Sequence, residues 1–197
     1  TTLGACAGHR LDHAGHHHLQ PSTGPPLLEV LDLSVTFPSP RGELRAVDQV
    51  SFRLEKGQTK GIIGESGSGK STLGRALLRL VPRPGKIIEG KVLLNGRDLL
   101  AFSDSEMQWV WGRRLGLIFQ EPGTALNPLV KIARQLVEAP KHHFGEDDQA
   151  IHERAAELLR EVGILEPDRC MESYSHELSA GMQQRTLLAM AFSAVLI

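Results

Sequence analysis

Nine consecutive residues, from Gly64 to Thr72, have the types and the order needed to bind a triphosphate. They satisfy the pattern G-x-x-x-x-G-K-[ST] of a phosphate-binding loop at every fixed position. Glycines let the backbone turn tightly, so that its N–H groups approach the phosphates. Lys70 supplies a positive charge for the β- and γ-phosphates, and the Ser71 hydroxyl can ligate Mg²⁺. The motif therefore predicts a nucleoside triphosphate with Mg²⁺ as the ligand.

We expect every residue of this loop to line the nucleotide site, with Thr72 donating to the α-phosphate. The predicted nucleotide-binding residues are Gly64, Glu65, Ser66, Gly67, Ser68, Gly69, Lys70, Ser71 and Thr72. A short buried strand predicted at 59–63 and a helix predicted at 72–80 flank the loop. The alternative is a flexible Gly/Ser linker that contains a lysine. It does not account for the apolar strand before the loop and the amphipathic helix after it.

Composition limits the class of protein. The chain has 197 residues, which is enough for one sizeable α/β core. Its formal net charge is −1, so the charge balance gives no support for nucleic acid or an acidic membrane as a partner. The two cysteines, Cys6 and Cys170, lie far apart, so we expect free thiols in a reducing compartment. The sequence has no run of about 18 or more apolar residues, so we expect no membrane-spanning helix.

The first 26 residues differ in composition from the rest of the chain. They are rich in Gly, Pro and Ser and hold five of the nine histidines, at positions 9, 13, 16, 17 and 18. The spacing of His9 and His13 would suit a metal ion on a helix. Nothing in the sequence orders these ligands, so we expect a disordered tail over 1–26. The globular part is expected over 27–197.

Apolar patterns in the globular part predict strands with helices between them. Further strands are predicted at 28–37, 46–54, 86–94 and 115–119. Asn95-Gly96 predicts a tight turn after the third of these, and 120–128 reads as a loop. A capping box at 103–106 predicts a short helix to about residue 111. The segment 129–165 is predicted to be mostly helical, and Pro167 is expected to end it. Ser179 can cap a last helix that runs to Met190.

A second motif follows near the end of the chain. Residues Glu177–Arg185, ELSAGMQQR, resemble the signature of ABC-type ATPases, usually written LSGGQ. A serine followed by small residues at a helix start presents a hydroxyl, bare N–H groups and the positive helix end, which together form an anion site. Taken alone, the motif is equally consistent with an ordinary helix cap. Its order after the phosphate loop and after Gln120 in IFQEPGTALNP matches the family, and the chain resembles ATP-binding subunits of oligopeptide, dipeptide and nickel importers over about 27–192.

The resemblance implies a fold and a set of ligands. The implied fold is α/β, a P-loop NTPase core of ABC ATPase type with an antiparallel β subdomain and a helical subdomain over about 129–178. ATP and Mg²⁺ are the implied cofactors. The printed chain stops before the apolar strand that carries the Mg²⁺-linked Asp and the catalytic Glu in the family, and before the switch His. We therefore expect an incomplete core with exposed apolar surface and poor ATP hydrolysis by this chain alone.

The resemblance also implies roles for residues outside the phosphate loop. Ser179 and Gly181 would contact the γ-phosphate of ATP held by a second subunit. Gln120 would ligate Mg²⁺ or hold the attacking water, acting in catalysis with Lys70. Phe37 is the expected aromatic platform for adenine, and Val47 is expected to add an apolar contact.

The implied activity is ATP hydrolysis that drives import of di- or oligopeptides or nickel. Expected partners are a second ATPase subunit packed head to tail, two transmembrane permease subunits and, indirectly, a substrate-binding protein, with no nucleic acid. The expected location is peripheral, on the cytoplasmic face of the cell (inner) membrane. Two other classes stay open, namely a non-transport ABC ATPase acting on DNA or ribosomes, and a nucleotide-binding fragment without turnover.

Ala180 stands where the signature has its first glycine, and its methyl group would crowd an approaching phosphate. We therefore expect Ala180→Gly to strengthen ATP-driven association of two copies modestly, by about twofold to threefold. Sedimentation with and without ATP measures this. Equal association of both proteins would show that the methyl group does not matter.

Overall fold

The computed structural model describes residues 25–40, 42–119, 121–144 and 148–195. The chain divides into two compact units between Ser103 and Asp104. The first unit holds strands β1 (Leu28–Ser39), β2 (Gly42–Leu54), β3 (Lys86–Leu94) and β4 (Arg97–Asp98) and helix α1 (Lys70–Leu77). The second unit holds helices α2 (Asp104–Val110), α3 (Pro122–Ala125), α4 (Ile132–Phe144), α5 (Asp148–Glu161), α6 (Pro167–Glu172) and α7 (Ala180–Val195).

The four strands form one antiparallel sheet in the order β2-β1-β3-β4. The central strand β1 pairs with both long neighbours, and its buried apolar side chains lie in the core with Val47 of β2 and Val92 of β3. Asn95 and Gly96 both have positive φ and join β3 to β4, which is the backbone of a type I′ hairpin turn. The predicted strands 28–37, 46–54 and 86–94 and the tight turn are thus confirmed, with β2 starting four residues earlier than predicted.

A line of irregular residues crosses the sheet at its centre. Asp32, Gln49 and Gly90 all have positive φ, and the register of β1 shifts against both neighbours at this point. Side-chain hydroxyls supply hydrogen bonds where the ladder is interrupted. The Asp32 amide donates to Ser51 Oγ at 2.8 Å, and the Gln49 amide donates to Ser34 Oγ at 3.0 Å. This bulge adds twist to the sheet without leaving these two amides unsatisfied.

Helix α1 ends in a Schellman motif. Arg79 has φ +56°, its amide donates to Ala76 O at 3.0 Å, and the Leu80 amide donates to Arg75 O at 2.8 Å. The helix therefore ends at Leu77, three residues before the predicted end. Leu73 and Ala76 are buried, which holds the helix on the first unit.

The second unit packs its helices around one apolar cluster. Its central members are Leu126, Ile132, Leu136, Ala155, Leu158, Leu159, Ile164, Cys170, Met171, Leu178, Leu187 and Ala189. Helix α5, which lies in the segment predicted to be mostly helical, supplies Ala155, Leu158 and Leu159. Helix α7 begins directly after Ser179, as predicted, and runs five residues beyond Met190.

Two predicted buried strands are wrong. Residues 59–63 form no strand, and Ile63 is 93% exposed. Residues 115–119 form only a single bridge between Trp111 and Leu115, and Phe119 is exposed. A strand needs a neighbour to accept its hydrogen bonds, and apart from the Trp111–Leu115 bridge no described segment pairs with either stretch. The expected exposure of apolar surface is seen at both segments.

Three further expectations need correction or lie outside the described residues. Pro167 begins α6 at its first turn, where its missing N–H costs no hydrogen bond, instead of ending the preceding helix. The predicted loop 120–128 contains the short helix α3. Residues 1–24 of the predicted tail, and Cys6 with them, lie outside the described residues, whereas Cys170 is a free, buried thiol. Within the described ranges, no helix has the length and apolarity needed to cross a bilayer.

Gly90 is the position in the sheet that depends most on being glycine. It has φ +101°, and a Cβ there would lie 2.5 Å from Leu33 Cα and 2.6 Å from Leu31 O. We expect Gly90→Ala to lower the free energy of unfolding by roughly 2–4 kcal/mol, because backbone atoms would have to move. Urea unfolding followed by circular dichroism measures this. The matched control is Gly74→Ala, where a Cβ meets nothing within 4 Å and we expect no loss. Equal stability of Gly90→Ala and Gly74→Ala would contradict the conclusion that the sheet requires glycine at position 90.

Candidate nucleotide-binding site

The structure forms the 64–72 loop as a glycine turn that leads into the start of α1. Gly67 and Gly69 have φ +80° and +92°, a conformation that side chains with a Cβ rarely adopt. Gly69 is the N-cap of α1, and no side chain caps this helix end. Among the described residues, no hydrogen bond occupies the amides of Gly67, Gly69, Lys70 or Ser71. These N–H groups are therefore available to an anion.

The side chain of Lys70 lies across its own loop. Its Nζ donates to the carbonyl oxygens of Gly64 and Glu65 at 2.7 and 2.6 Å, and to Ser68 Oγ at 3.3 Å. The Ser68 amide donates to Glu65 O at 3.2 Å, which closes the turn. The ammonium group is thus held at the loop before any ligand arrives, and no acidic residue lies in the first turn of α1 to compete for it.

Ser71 and Thr72 place two hydroxyl groups in the first turn of α1, with Ser71 exposed and Thr72 half-buried. The donor set for a triphosphate with a hard cation is therefore present: open amides, an ammonium group and an accessible serine hydroxyl. A magnesium ion fits this set, because it binds through few protein oxygens and otherwise uses phosphates and water.

The predicted adenine contacts lie on strands β1 and β2 of the first unit. The ring of Phe37 is half-buried against the turn at Gly85. A Cβ placed on Gly85 would fall 2.7 Å from Phe37 Cζ and 2.8 Å from Val81 Cγ1. Val47 is 1% exposed and pairs with Val35 in the sheet. Val47 therefore packs in the core, and only Phe37 presents any surface to a base. Gln120 lies outside the described residues.

In the second unit the signature residues form an open helix start. Ser179 is the last residue before α7, and its Oγ accepts from the Met182 amide at 3.3 Å. The Gln183 amide donates to Ser179 O at 2.9 Å. Ser179, Ala180 and Gly181 are exposed, and a Cβ on Gly181 would meet nothing within 4 Å. Ala180 is helical, which an alanine adopts without strain.

Helix α7 fixes this helix start to the rest of the second unit. Arg185 Nη1 donates to Gly163 O at 2.8 Å, just beyond the end of α5. The Thr186 hydroxyl lies 3.7 Å from Cys170 Sγ, and burial raises the pKa of that thiol. Sequence reasoning missed these residues, because each makes its contact with a residue distant in the sequence. The 163–185 bond in particular has no local pattern.

An ion pair joins the residue before α4 to the last residue of α6. Lys131 Nζ donates to Glu172 Oε2 at 2.6 Å. This contact raises the pKa of Lys131 and lowers the pKa of Glu172. Both groups are exposed, so the pair contributes little to stability.

Comparison with known proteins agrees with the two motifs and the fold. The family model described as ABC transporter matches residues 47–195. The chain belongs to the ABC transporter family. It is 44% identical over 169 residues to the oligopeptide transport ATP-binding protein of Bacillus subtilis (strain 168), covering 85% of this chain and 47% of that protein. It is 41% identical over 167 residues to the dipeptide transport ATP-binding protein of Escherichia coli (strain K12), covering 85% and 51%.

These figures mean that the chain spans about half the length of the curated relatives it matches. Among solved structures, the dimeric structure of a bacterial ABC transporter cassette matches with a TM-score of 0.74 and 24% identity, covering 85% of this chain and 69% of that one. The same cassette in a dimeric post-hydrolysis state with ADP and Pi matches equally well. At this identity the match shows the fold, and the predicted ABC ATPase fold class is confirmed.

The hydroxyl of Ser179 has a capping role that can be separated from any ligand. We expect Ser179→Ala to lower the unfolding free energy of the second unit by about 0.5–1 kcal/mol, because the Met182 amide loses its acceptor. Ser179→Asp should restore the stability, since Asp caps helices as well as Ser. Thermal unfolding of the three proteins measures this. Equal stability of Ser179→Ala and the parent would show that the bond contributes nothing.

Proposed function

We propose that this chain is the nucleotide-binding part of an ATPase subunit that powers import of peptides, with nickel as the second candidate substrate. The observation that carries the proposal is the pair of open helix starts, one at Gly69–Thr72 with a lysine beside it and one at Ser179. The names of the relatives, oligopeptide and dipeptide transport ATP-binding proteins, support a role in peptide transport.

The phosphate loop would hold ATP through its amides and through Lys70, which exchanges loop carbonyls for β- and γ-phosphate oxygens. The Ser71 hydroxyl would ligate Mg²⁺, which neutralises charge that develops between the β- and γ-phosphates. Residues Glu65, Ser66 and Ser68 line the turn, and Phe37 would stack on the adenine. Gln120 would position water or the metal ion.

The signature would act on ATP bound to a different subunit. The open amides at this helix start and the Ser179 hydroxyl can donate to an anion. No phosphate-binding motif lies near them in the sequence. We therefore infer a head-to-tail pair of ATPase subunits, and the dimeric ABC transporter cassette of matching fold supports this arrangement. In the transporter, two permease subunits would hold the pair at the cytoplasmic face of the membrane, and a substrate-binding protein would deliver the cargo.

Binding and association can be tested separately. We expect Lys70→Ala to weaken ATP binding about 10- to 100-fold, because a charge-assisted contact is lost. The matched control is Lys56→Ala, which removes an exposed lysine that precedes the loop and should leave affinity unchanged. Equilibrium titration with a fluorescent ATP analogue measures both. Equal affinity of the two variants would contradict the phosphate-loop assignment.

Ser179→Asp tests the second half of the site. It keeps the helix cap but brings a carboxylate towards the γ-phosphate, so we expect it to abolish ATP-driven association while ATP still binds to the loop of the same chain. Sedimentation in the presence of a non-hydrolysable ATP analogue measures association. Undiminished association would exclude the signature from the nucleotide site. Uptake of radiolabelled dipeptide or of nickel by vesicles that contain the complete transporter distinguishes the two cargoes.

A further inference from the structure

Gln183 is a polar side chain near the start of α7 whose contacts the nucleotide motifs do not explain. Its Nε2 donates to Ser175 O at 2.7 Å and to Leu178 O at 3.3 Å. Leu178 directly precedes the signature serine, so the Gln183 side chain fixes the backbone on the approach to Ser179. The amide of Gln183 fixes the same serine from the other side, through its 2.9 Å bond to Ser179 O.

The other end of the Gln183 amide faces a different element. Its Oε1 is on the side of Gly123, and a Cβ added to that glycine would lie 3.8 Å from it, with no clash. Gly123 belongs to α3, and this helix starts two residues after Gln120 in the sequence. A single side chain therefore bonds to the segment that leads to the signature serine and approaches the helix that follows the predicted water-positioning glutamine. Both contacts lie within the second unit.

We propose that Gln183 is a positioning residue that couples α3 to the signature serine. This inference rests on the proposed function, because the serine matters only if it meets a nucleotide. A displacement of α3 would press on Oε1, and the amide would transmit it to the carbonyl groups of Ser175 and Leu178. The exposed hydroxyl of Ser179 would then shift relative to the phosphate it contacts.

The chain offers a matched control one residue further along α7. The side chain of Gln184 is exposed and makes no hydrogen bond to any of the described residues. Gln183→Glu and Gln184→Glu make the same change of charge and size at adjacent positions near the start of one helix. Only Gln183→Glu replaces a donor by an oxygen that faces two carbonyl oxygens. Gln183→Arg restores N–H donors at this position and serves as the rescue variant.

Two readouts of the full chain test the proposal. We expect Gln183→Glu to raise the protein concentration at half-maximal association with a non-hydrolysable ATP analogue about fivefold to tenfold, because two partly buried hydrogen bonds are lost. The affinity of the phosphate loop for the same analogue, measured at concentrations where the chain is monomeric, should stay within about twofold. Gln184→Glu should leave both values unchanged, and Gln183→Arg should recover most of the association.

Hydrogen exchange without nucleotide gives an independent reading. The amides of Met182 and Gln183 should exchange at least about fivefold faster in Gln183→Glu than in Gln184→Glu. Equal exchange and equal association in these two variants would overturn the proposal. If the parent chain itself does not associate with the analogue, the proposed function fails, and the exchange rates still decide whether Gln183 holds the serine. If Gln183→Glu does not fold, the comparison of Gln183→Met with Gln184→Met decides by the same two measurements.

Discussion

The candidate site depends on backbone N–H groups that the helices themselves cannot satisfy. The first amides of any α-helix lack an intrahelical acceptor, and most helices cover them with a side chain. Here α1 starts at Gly69 without a side-chain cap, and α7 starts at Ser179 with one weak cap and two small residues after it. Each helix start is therefore stable enough to form and open enough to accept phosphate oxygens.

Each open helix start has to be held in position by other contacts, and these contacts differ between the two units. Helix α1 is short, with two buried side chains and a Schellman motif at its end, so the loop relies on its own turn and on the Lys70 bonds to Gly64 and Glu65. Helix α7 is twice as long and carries Thr186 and Leu187 into the core of the second unit. Its buried middle holds an exposed first turn in place. The phosphate loop therefore depends mainly on its own bonds, whereas the start of α7 depends on buried residues further along the same helix.

Whether a feature could be predicted from the sequence depends on how far apart in the sequence its interacting residues lie. The glycine turn at 64–69, the Asn95-Gly96 turn and the Ser179 cap depend on residues within a few positions, and all three could be predicted from the sequence. The strands predicted at 59–63 and 115–119 do not form. A buried strand depends on neighbours that its own pattern does not specify. The apolar pattern predicts burial at both segments, but Ile63 and Phe119 are exposed and lie outside the four-stranded sheet of the described residues.

The same distinction separates the residues that bind from the residues that position. Lys70 and Ser179 belong to short motifs whose chemistry can be read from residue types. Gln183 and Arg185 bond to carbonyl groups 8 and 22 positions away, and a glutamine or an arginine on a helix surface looks like any solvated side chain. Such contacts determine where the serine hydroxyl stands, and a displacement of well under 1 Å is enough to weaken a hydrogen bond to phosphate. In the proposed site, the position of the signature serine would therefore depend on these distant bonds as well as on the motif itself.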